Sequence, residues 1–333
     1  MNVRRYRHAD AELWNAFLKS TKNATFLFNR NFMDYHADRF TDCSLLFFEN
    51  DKLRALFPAN WEKEERRVCS HRGLTYGGLL MAADVTAAEV LDMFRLLTAW
   101  YRKELGAVSL LYKPIPYIYA AYPAEEDLYA LFRSGAVLCT RAVSSVVPLD
   151  VPLAMRTLRL RGAKKALQND LYIDRLGDND GYTLAAFWRV LEQVLKKYHQ
   201  TKPVHTVKEM ALLMERFPKE IKLYLVRHNK EVVAGCVVFV TGKVAHIQYI
   251  ASSDQGREWG ALDLLFRHLI TERYKGKDYL DFGISTEDGG RTLNEGLIFQ
   301  KEGFGGRAVC YDSYEVPLTV AFTDEKADAG EKS

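Results

Sequence analysis

Three short matches recur in the same order in both halves of the chain, and they constrain the fold more than any other feature. Arg39-Phe40 and Arg216-Phe217 each close an expected helix and lead into a hairpin. The first hairpin reads Cys43–Phe48, a polar turn and Leu53–Phe57; the second reads Ile221–Arg227, His228-Asn229-Lys230 and Val232–Val240. Phe94-Arg95 and Phe266-Arg267 each open a stretch of amphipathic helix that runs into a strand. Val147-Pro148-Leu149 and Val316-Pro317-Leu318 end a last strand, after a short helix and a glycine, Gly135 or Gly303. The offsets are 177 (216 − 39), 172 (266 − 94) and 169 (316 − 147), and a drift of this size is what loop insertions produce between copies. Each copy reads helix, helix, hairpin, third strand, helix, strand, helix, strand. That order predicts two tandem α/β (α+β) domains, each a mixed, largely antiparallel sheet flanked by helices. The expected boundaries are 1–150 and 151–320, with a disordered tail at 321–333 whose residues have almost nothing to bury.

Of 333 residues, 48% are hydrophobic and 27% charged, ordinary values for a chain with a real core. A net charge of +3 is too small for bulk nucleic-acid binding, so stable DNA binding is not expected. The five cysteines (Cys43, Cys69, Cys139, Cys236 and Cys310) form no Cys-x-x-Cys pair and sit mostly in apolar runs. They read as buried reduced thiols of a cytoplasmic protein, and neither they nor the histidines fall at metal-ligand spacing. The basic N-terminus leads into no apolar segment, and Val232–Val240 is far shorter than the ~20 residues of a spanning helix.

The chemistry-bearing residues gather in the second copy. The strand Val244–Ala251 runs into Ser252-Ser-Asp-Gln-Gly-Arg-Glu-Trp-Gly-Ala261, a polar loop with glycines that opens a helix. Backbone N–H groups and the helix dipole make such a loop an anion site, to which Arg257 adds a charge; the plainer reading is an ordinary strand-to-helix turn. At the 172 offset the first copy has Val85 and Ala88 opposite Arg257 and Gly260, so only the second loop is equipped. Asp281 at a strand end could take a proton from an attacking amine, or cap a turn. Tyr249 and His246 share a strand with Ile247 and Gln248, and only one pair can face a cleft. His205 precedes the capping box Thr206-Val-Lys-Glu209 and is a substrate contact or a loop histidine. Arg161, Lys164 and Lys165, with Arg156 and Arg159, make a basic stretch suited to phosphates or simply to solvent. In the first copy, His36 and Tyr76 belong to the densest polar segments, Tyr35–Phe40 and Ser70–Gly78, and are candidates for acceptor binding.

The segment Arg257-Glu-Trp-Gly260-Ala261-Leu262 resembles the donor loop of the GNAT acyltransferase fold, Arg/Gln-x-x-Gly-x-Gly/Ala, with leucine at the last position. Tyr279-Leu-Asp-Phe-Gly-Ile-Ser285, Leu293–Gly306 and the basic Arg161-Gly-Ala-Lys-Lys-Ala-Leu-Gln168 are similar to the Fem-type branch of that superfamily, which uses two tandem GNAT units. The resemblance implies a bacterial N-acyltransferase that moves an acyl or aminoacyl group to an amine. It implies donor contacts from Ser253, Gln255, Gly256, Arg257, Gly260 and Ala261, and acceptor binding by the first unit and the interdomain cleft. It also implies a lysine near the reacting ester, here Lys301, whose alternative is a cation at a helix end. The donor would be acetyl-CoA or another acyl-CoA, or an aminoacyl-tRNA acting toward a cell-wall precursor; a non-catalytic binding protein of the same fold is the third possibility. No metal is implied.

Overall fold

Hydrophobic periodicity fixes the elements, and the elements then sort into two bodies. The computed structural model describes residues 1–174 and 181–319. Its contacts divide the chain into one unit built from Met1–Arg141 and from Tyr311 onward, and another built from Ala142–Cys310. The sequence placed the boundary at 150/151; the contacts place it inside a strand, because the residues after 141 pair with strands of the second unit. The segment 321–333 lies outside the described residues.

The first unit contains β1 (Asn2–Arg5), α1 (Ala11–Leu18), α2 (Arg30–Met33), β2 (Thr41–Asp42), β3 (Leu45–Glu49) and β4 (Lys52–Phe57). Then come β5 (Asn60–Glu62), β6 (Arg67–Cys69), β7 (Leu80–Met81), α3 (Ala87–Leu105), β8 (Ser109–Tyr112), α4 (Glu126–Arg133) and the start of β9 (Val137–Pro148). The helix expected to end at Arg39-Phe40 shrinks to α2 and one 3-10 turn at Asp34–His36. α3 shows why its sequence folds as it does. Thr86 and Glu89 form a reciprocal capping box, and Val90, Met93, Phe94, Leu97 and Tyr101 line one wholly buried face. Each of the larger side chains contributes about 1.5–3 kcal/mol of burial. The helix stops at Gly106, whose φ of +62° only glycine adopts cheaply. β1, β3, β4 and β7 pair antiparallel; β2, β5 and β6 do likewise, and β6 runs parallel to β8.

The second unit takes residues 142–148 of β9, then α5 (Thr157–Gln168), β10 (Tyr172–Asp174), α6 (Gly181–His199), α7 (Val207–Arg216), β11 (Ile221–His228) and β12 (Glu231–Val240). β13 (Val244–Ser252), α8 (Asp254–Trp259), α9 (Ala261–His268), β14 (Tyr279–Ile284), β15 (Thr286–Glu287), β16 (Thr292–Leu293), α10 (Glu295–Glu302) and β17 (Arg307–Pro317) follow, the last from Tyr311 on in the first unit. Strands β10 to β13 form an antiparallel ladder, β13 and β14 are parallel, and β14 is antiparallel to β9. This is the expected mixed sheet, with its parallel step where the third strand gives way to a helix. The capping box at Thr206 and Glu209 opens α7 as its sequence predicts. A core of Val226, Val238, Leu265, Phe266, Leu280 and Phe304 lies between α9 and the sheet. On α6, Leu184, Phe187, Trp188 and Leu191 are buried as expected, whereas Tyr198 is 48% exposed.

The duplication is visible in strand pairing. In each unit a hairpin, β3–β4 or β11–β12, is extended on its second strand by an antiparallel strand, β7 or β13, that leads toward the helix bearing Phe94 or Phe266. Phe94 and Phe266 lie on the corresponding helices α3 and α9. Gly135 after α4 has φ +68°, and its conformational equivalent after α10 is Gly305 at φ +98°; Gly303, the expected counterpart, is ordinary helical backbone at φ −60°.

Candidate active site

β13 and β14 run side by side for only three residue pairs, ending at His246 and Asp281. Two irregularities turn the strands from there. β13 carries a bulge between Ile247 and Tyr249 against β12. β14 slips against β9 between Asp281 and Ile284, around Gly283 at φ +74°. Bulges beside a parting of strands re-aim side chains and free ladder groups.

At this fork a polar group is assembled from four elements. Asp281 is fully buried. Its carboxylate accepts hydrogen bonds from Ser144 Oγ on β9 and from the Gly283 N–H at 2.8 Å, and its Oδ2 lies 2.8 Å from His246 Nδ1. A carboxylate on Nδ1 holds the imidazole in one orientation and directs Nε2 outward. The ring edge follows the bend of β14, since a Cβ on Gly283 would lie 3.6 Å from His246 Cε1. Lys301, on α10 and 7% exposed, donates to the carbonyls of Gly283 at 2.9 Å and Ile284 at 2.7 Å. Burial lowers its pKa from 10.5 to about 8, against the charge of Asp281, which raises it. Two of three ammonium hydrogens are spent on backbone, and one remains. The hydroxyls of Ser145 and Ser285 are also buried here, each without a hydrogen-bond partner. Ser285 follows the carbonyl that Lys301 holds, and Ser145 Cβ would lie 3.1 Å from a Cβ on Gly306. Buried hydroxyls without partners are rare, and each calls for an explanation.

Of the catalytic candidates, Lys301 and Asp281 therefore meet at one site, and Tyr249 lies elsewhere. Tyr249 OH is 2.6 Å from His205 Nδ1 and accepts the His205 N–H at 3.2 Å, while its ring meets Trp188 edge-on. Burial pushes the phenol up to about 12, so it keeps its proton at neutral pH. Sequence reasoning chose Tyr249 over His246 as the catalytic candidate on this strand. The signal that separates them is the parallel register that sets His246 beside Asp281.

The donor segment differs from the polar loop expected. Ser253 caps Gly256 N–H at 3.1 Å, residues 254–259 close into α8, and Gly260 at φ +79° breaks the chain into α9. Both glycines serve close packing: a Cβ on Gly256 would meet Val233 O at 2.4 Å, and one on Gly260 would meet Gly162 O of α5 at 2.4 Å. Ala261 is buried, and the first turn of α9 carries no side-chain cap. Arg257 stacks 4.3 Å from the Tyr198 ring, bonds its hydroxyl at 2.7 Å and pairs with Asp254, which Lys197 also holds at 2.8 Å. Gln255, Arg257, Lys197 and Tyr198 line a cavity of about 420 Å³ with Ser253 and the start of β12.

The remaining candidates are spread out. Arg161, Lys164 and Lys165 are exposed on α5. His36 and Tyr76 are 3% and 2% exposed in the first unit. His36 stacks on Tyr35 against Phe40 and Gly73, and Tyr76 bonds Thr25 Oγ1 at 3.2 Å, so neither has a face toward solvent. Cys139 and Cys310 are exposed, unlike the three other thiols, which are buried as expected. Among the described residues no cluster of three His, Cys, Asp or Glu could hold a metal, and no helix is long and apolar enough to cross a membrane.

Residues 155–288 match the family model of the acetyltransferase (GNAT) domain. No curated protein matches by sequence. Among solved structures, that of FemX aligns with a TM-score of 0.68 at 12% identity, covering 95% of this chain and 97% of that one. L-PGS from Bacillus licheniformis aligns with a TM-score of 0.61 at 13% identity, covering 95% of this chain and 94% of that one. At these identities the likeness is one of fold.

Proposed function

We propose that this chain, a Fem-like tandem GNAT protein with an acyltransferase domain at residues 155–288, moves an acyl or aminoacyl group from an activated ester or thioester to an amine at the β13–β14 fork. The observation that carries the reading is the His246–Asp281 bond at the last parallel pair before the strands part, with Lys301 beside it. Asp281, wholly buried, orients the imidazole and does not touch substrate. His246 Nε2 takes the proton as the amine attacks, and a C–N bond forms at the donor carbonyl. The remaining N–H of Lys301 stabilises the oxyanion. Collapse breaks the C–O or C–S bond, and the proton passes from His246 to the leaving group. The β13 edge from Ile247 on has no β14 partner and can pair with an extended donor chain. Arg257, Gln255 and the uncapped start of α9 are placed for donor phosphates. Ser253 and Gly256 shape this segment, and Gly260 and Ala261 form the helix start offered to the donor.

Turnover of a panel of amines by the wild type and His246→Gln tests the mechanism, with acetyl-CoA and charged tRNA as alternative donors. A loss of about 10²–10⁴ in kcat with unchanged donor affinity is expected. Equal rates in both proteins would refute His246 as the base. Calorimetric binding of acetyl-CoA identifies the thioester donor; a salt-dependent tRNA shift without it identifies the ester.

A further inference from the structure

The outer face of α5 takes no part in the chemistry above. The helix packs on α9 through Arg159, Gly162, Ala163 and Ala166. Both alanines are fully buried, Arg159 pairs with Asp263 at 2.8 Å, and a Cβ on Gly162 would lie 1.8 Å from the same carboxylate. At 3.6 residues per turn these four positions fill one arc. The opposite arc carries Arg161, Lys164 and Lys165, all exposed, and none of them is in an ion pair among the described residues. On one flank of this ridge stand Leu160 and Leu167, 46% and 53% exposed, and on the other Leu158 at 54%. Just ahead of the helix, Val151 and Leu153 are exposed as well.

The combination narrows the occupant. Single exposed leucines are ordinary on a helix, but here three flank one cationic ridge and make a mixed surface. A second copy of the same face would set like charges against each other. RNA phosphates would satisfy the cations but leave the leucines in water. An anionic bilayer surface takes both, with the cations among the headgroups and the leucines at the acyl boundary. We propose that α5 docks this protein on a negatively charged lipid surface. The inference stands apart from the acyl-transfer reading and survives if that reading fails.

The test uses the full chain and sedimenting vesicles of phosphatidylcholine with or without phosphatidylglycerol, at physiological salt. Binding is expected only when phosphatidylglycerol is present. The triple variant Arg161→Gln, Lys164→Gln, Lys165→Gln should bind about a hundred-fold more weakly, at about five-fold per cation removed. Leu158→Ser, Leu160→Ser, Leu167→Ser should also release the protein, which mere charge adsorption would not predict. Unchanged urea midpoints show that these surface variants fold. As a second readout, Leu158→Trp should give fluorescence that brominated lipid quenches beyond the parent's level. Absence of binding to phosphatidylglycerol vesicles overturns the proposal. So does wild-type affinity in the leucine variant, or a tRNA complex that needs the same cations while vesicles are ignored.

Discussion

Replacing Lys301 by methionine separates a reacting-site ammonium from a helix-end cation. The side chain is 7% exposed and gives two hydrogen bonds to carbonyls. Its pKa falls from 10.5 to about 8, mainly through burial. At 1.36 kcal/mol per pH unit, that fall corresponds to about 3 kcal/mol of cost for keeping the ammonium in the folded protein at neutral pH. Below about pH 8 both folded and unfolded chains hold the proton, so stability from this group is flat. Between about 8 and 10.5 the unfolded chain binds more proton than the folded one, so stability rises with pH. The variant lacks the group. Urea midpoints measured from pH 7.5 to 10.5 should therefore show wild type gaining about 3 kcal/mol on Lys301→Met, with other titrations cancelling in the difference. Turnover should fall on the order of a hundredfold while donor binding holds, and the wild-type rate should itself decline above about pH 8 as the ammonium is lost. Parallel stability curves would refute the burial argument, and full turnover in the variant would leave Lys301 as a helix-end cation.

Asp281→Asn should lower kcat with little change in KM and destabilise the fold by about 1–3 kcal/mol, since Ser144, Gly283 and His246 all bond a buried anion; kinetics and urea melts at neutral pH check both, and an unaltered kcat would end its positioning role. Gly260→Ala should cost at least about 1–3 kcal/mol, because the residue has φ +79° and Gly162 O blocks its Cβ; a thermal melt within a degree of wild type would contradict the α5–α9 contact. Arg257→Glu should weaken donor binding about tenfold or more by calorimetry and shift stability by under ~1 kcal/mol, as its ion pair is exposed; unchanged affinity would remove Arg257 from the donor site.

The fold was legible because its signals are local. Val90, Phe94, Leu97 and Tyr101 at helical spacing, and the hairpin from Ile221 to Val240, need no partner to be read. The site was legible in part. Lys301 and Asp281 were found by resemblance and by position at a strand end, but the role of Asp281 depends on burial and on a neighbour 35 residues earlier. His246 becomes distinguishable from Tyr249 only once a parallel register is known, and one residue of slip would turn it to the other face. The donor segment was legible as a motif but not in its shape. Glycines at 256 and 260 mark close backbone approach as readily as ligand approach, and only the positions of Val233 and Gly162 decide between them. Tyr198 kept helical spacing with buried residues, yet lies on the surface to stack on Arg257.

The parallel pairing of β6 with β8 ends, like that of β13 with β14, at a point where the next residues must go elsewhere. In the first unit the chain fills the position with itself. Ser70 N–H bonds Leu111 O, Lys113 N–H bonds Ser70 Oγ, and Gly77 N–H bonds Lys113 O, so the Ser70–Gly78 segment lies as an added strand's worth of partners along the extension of β8. A Cβ at Gly77 would lie 2.0 Å from Ser70 O, which leaves no slack in that loop. The first copy thus carries a tethered occupant of this position, which a free partner would have to displace.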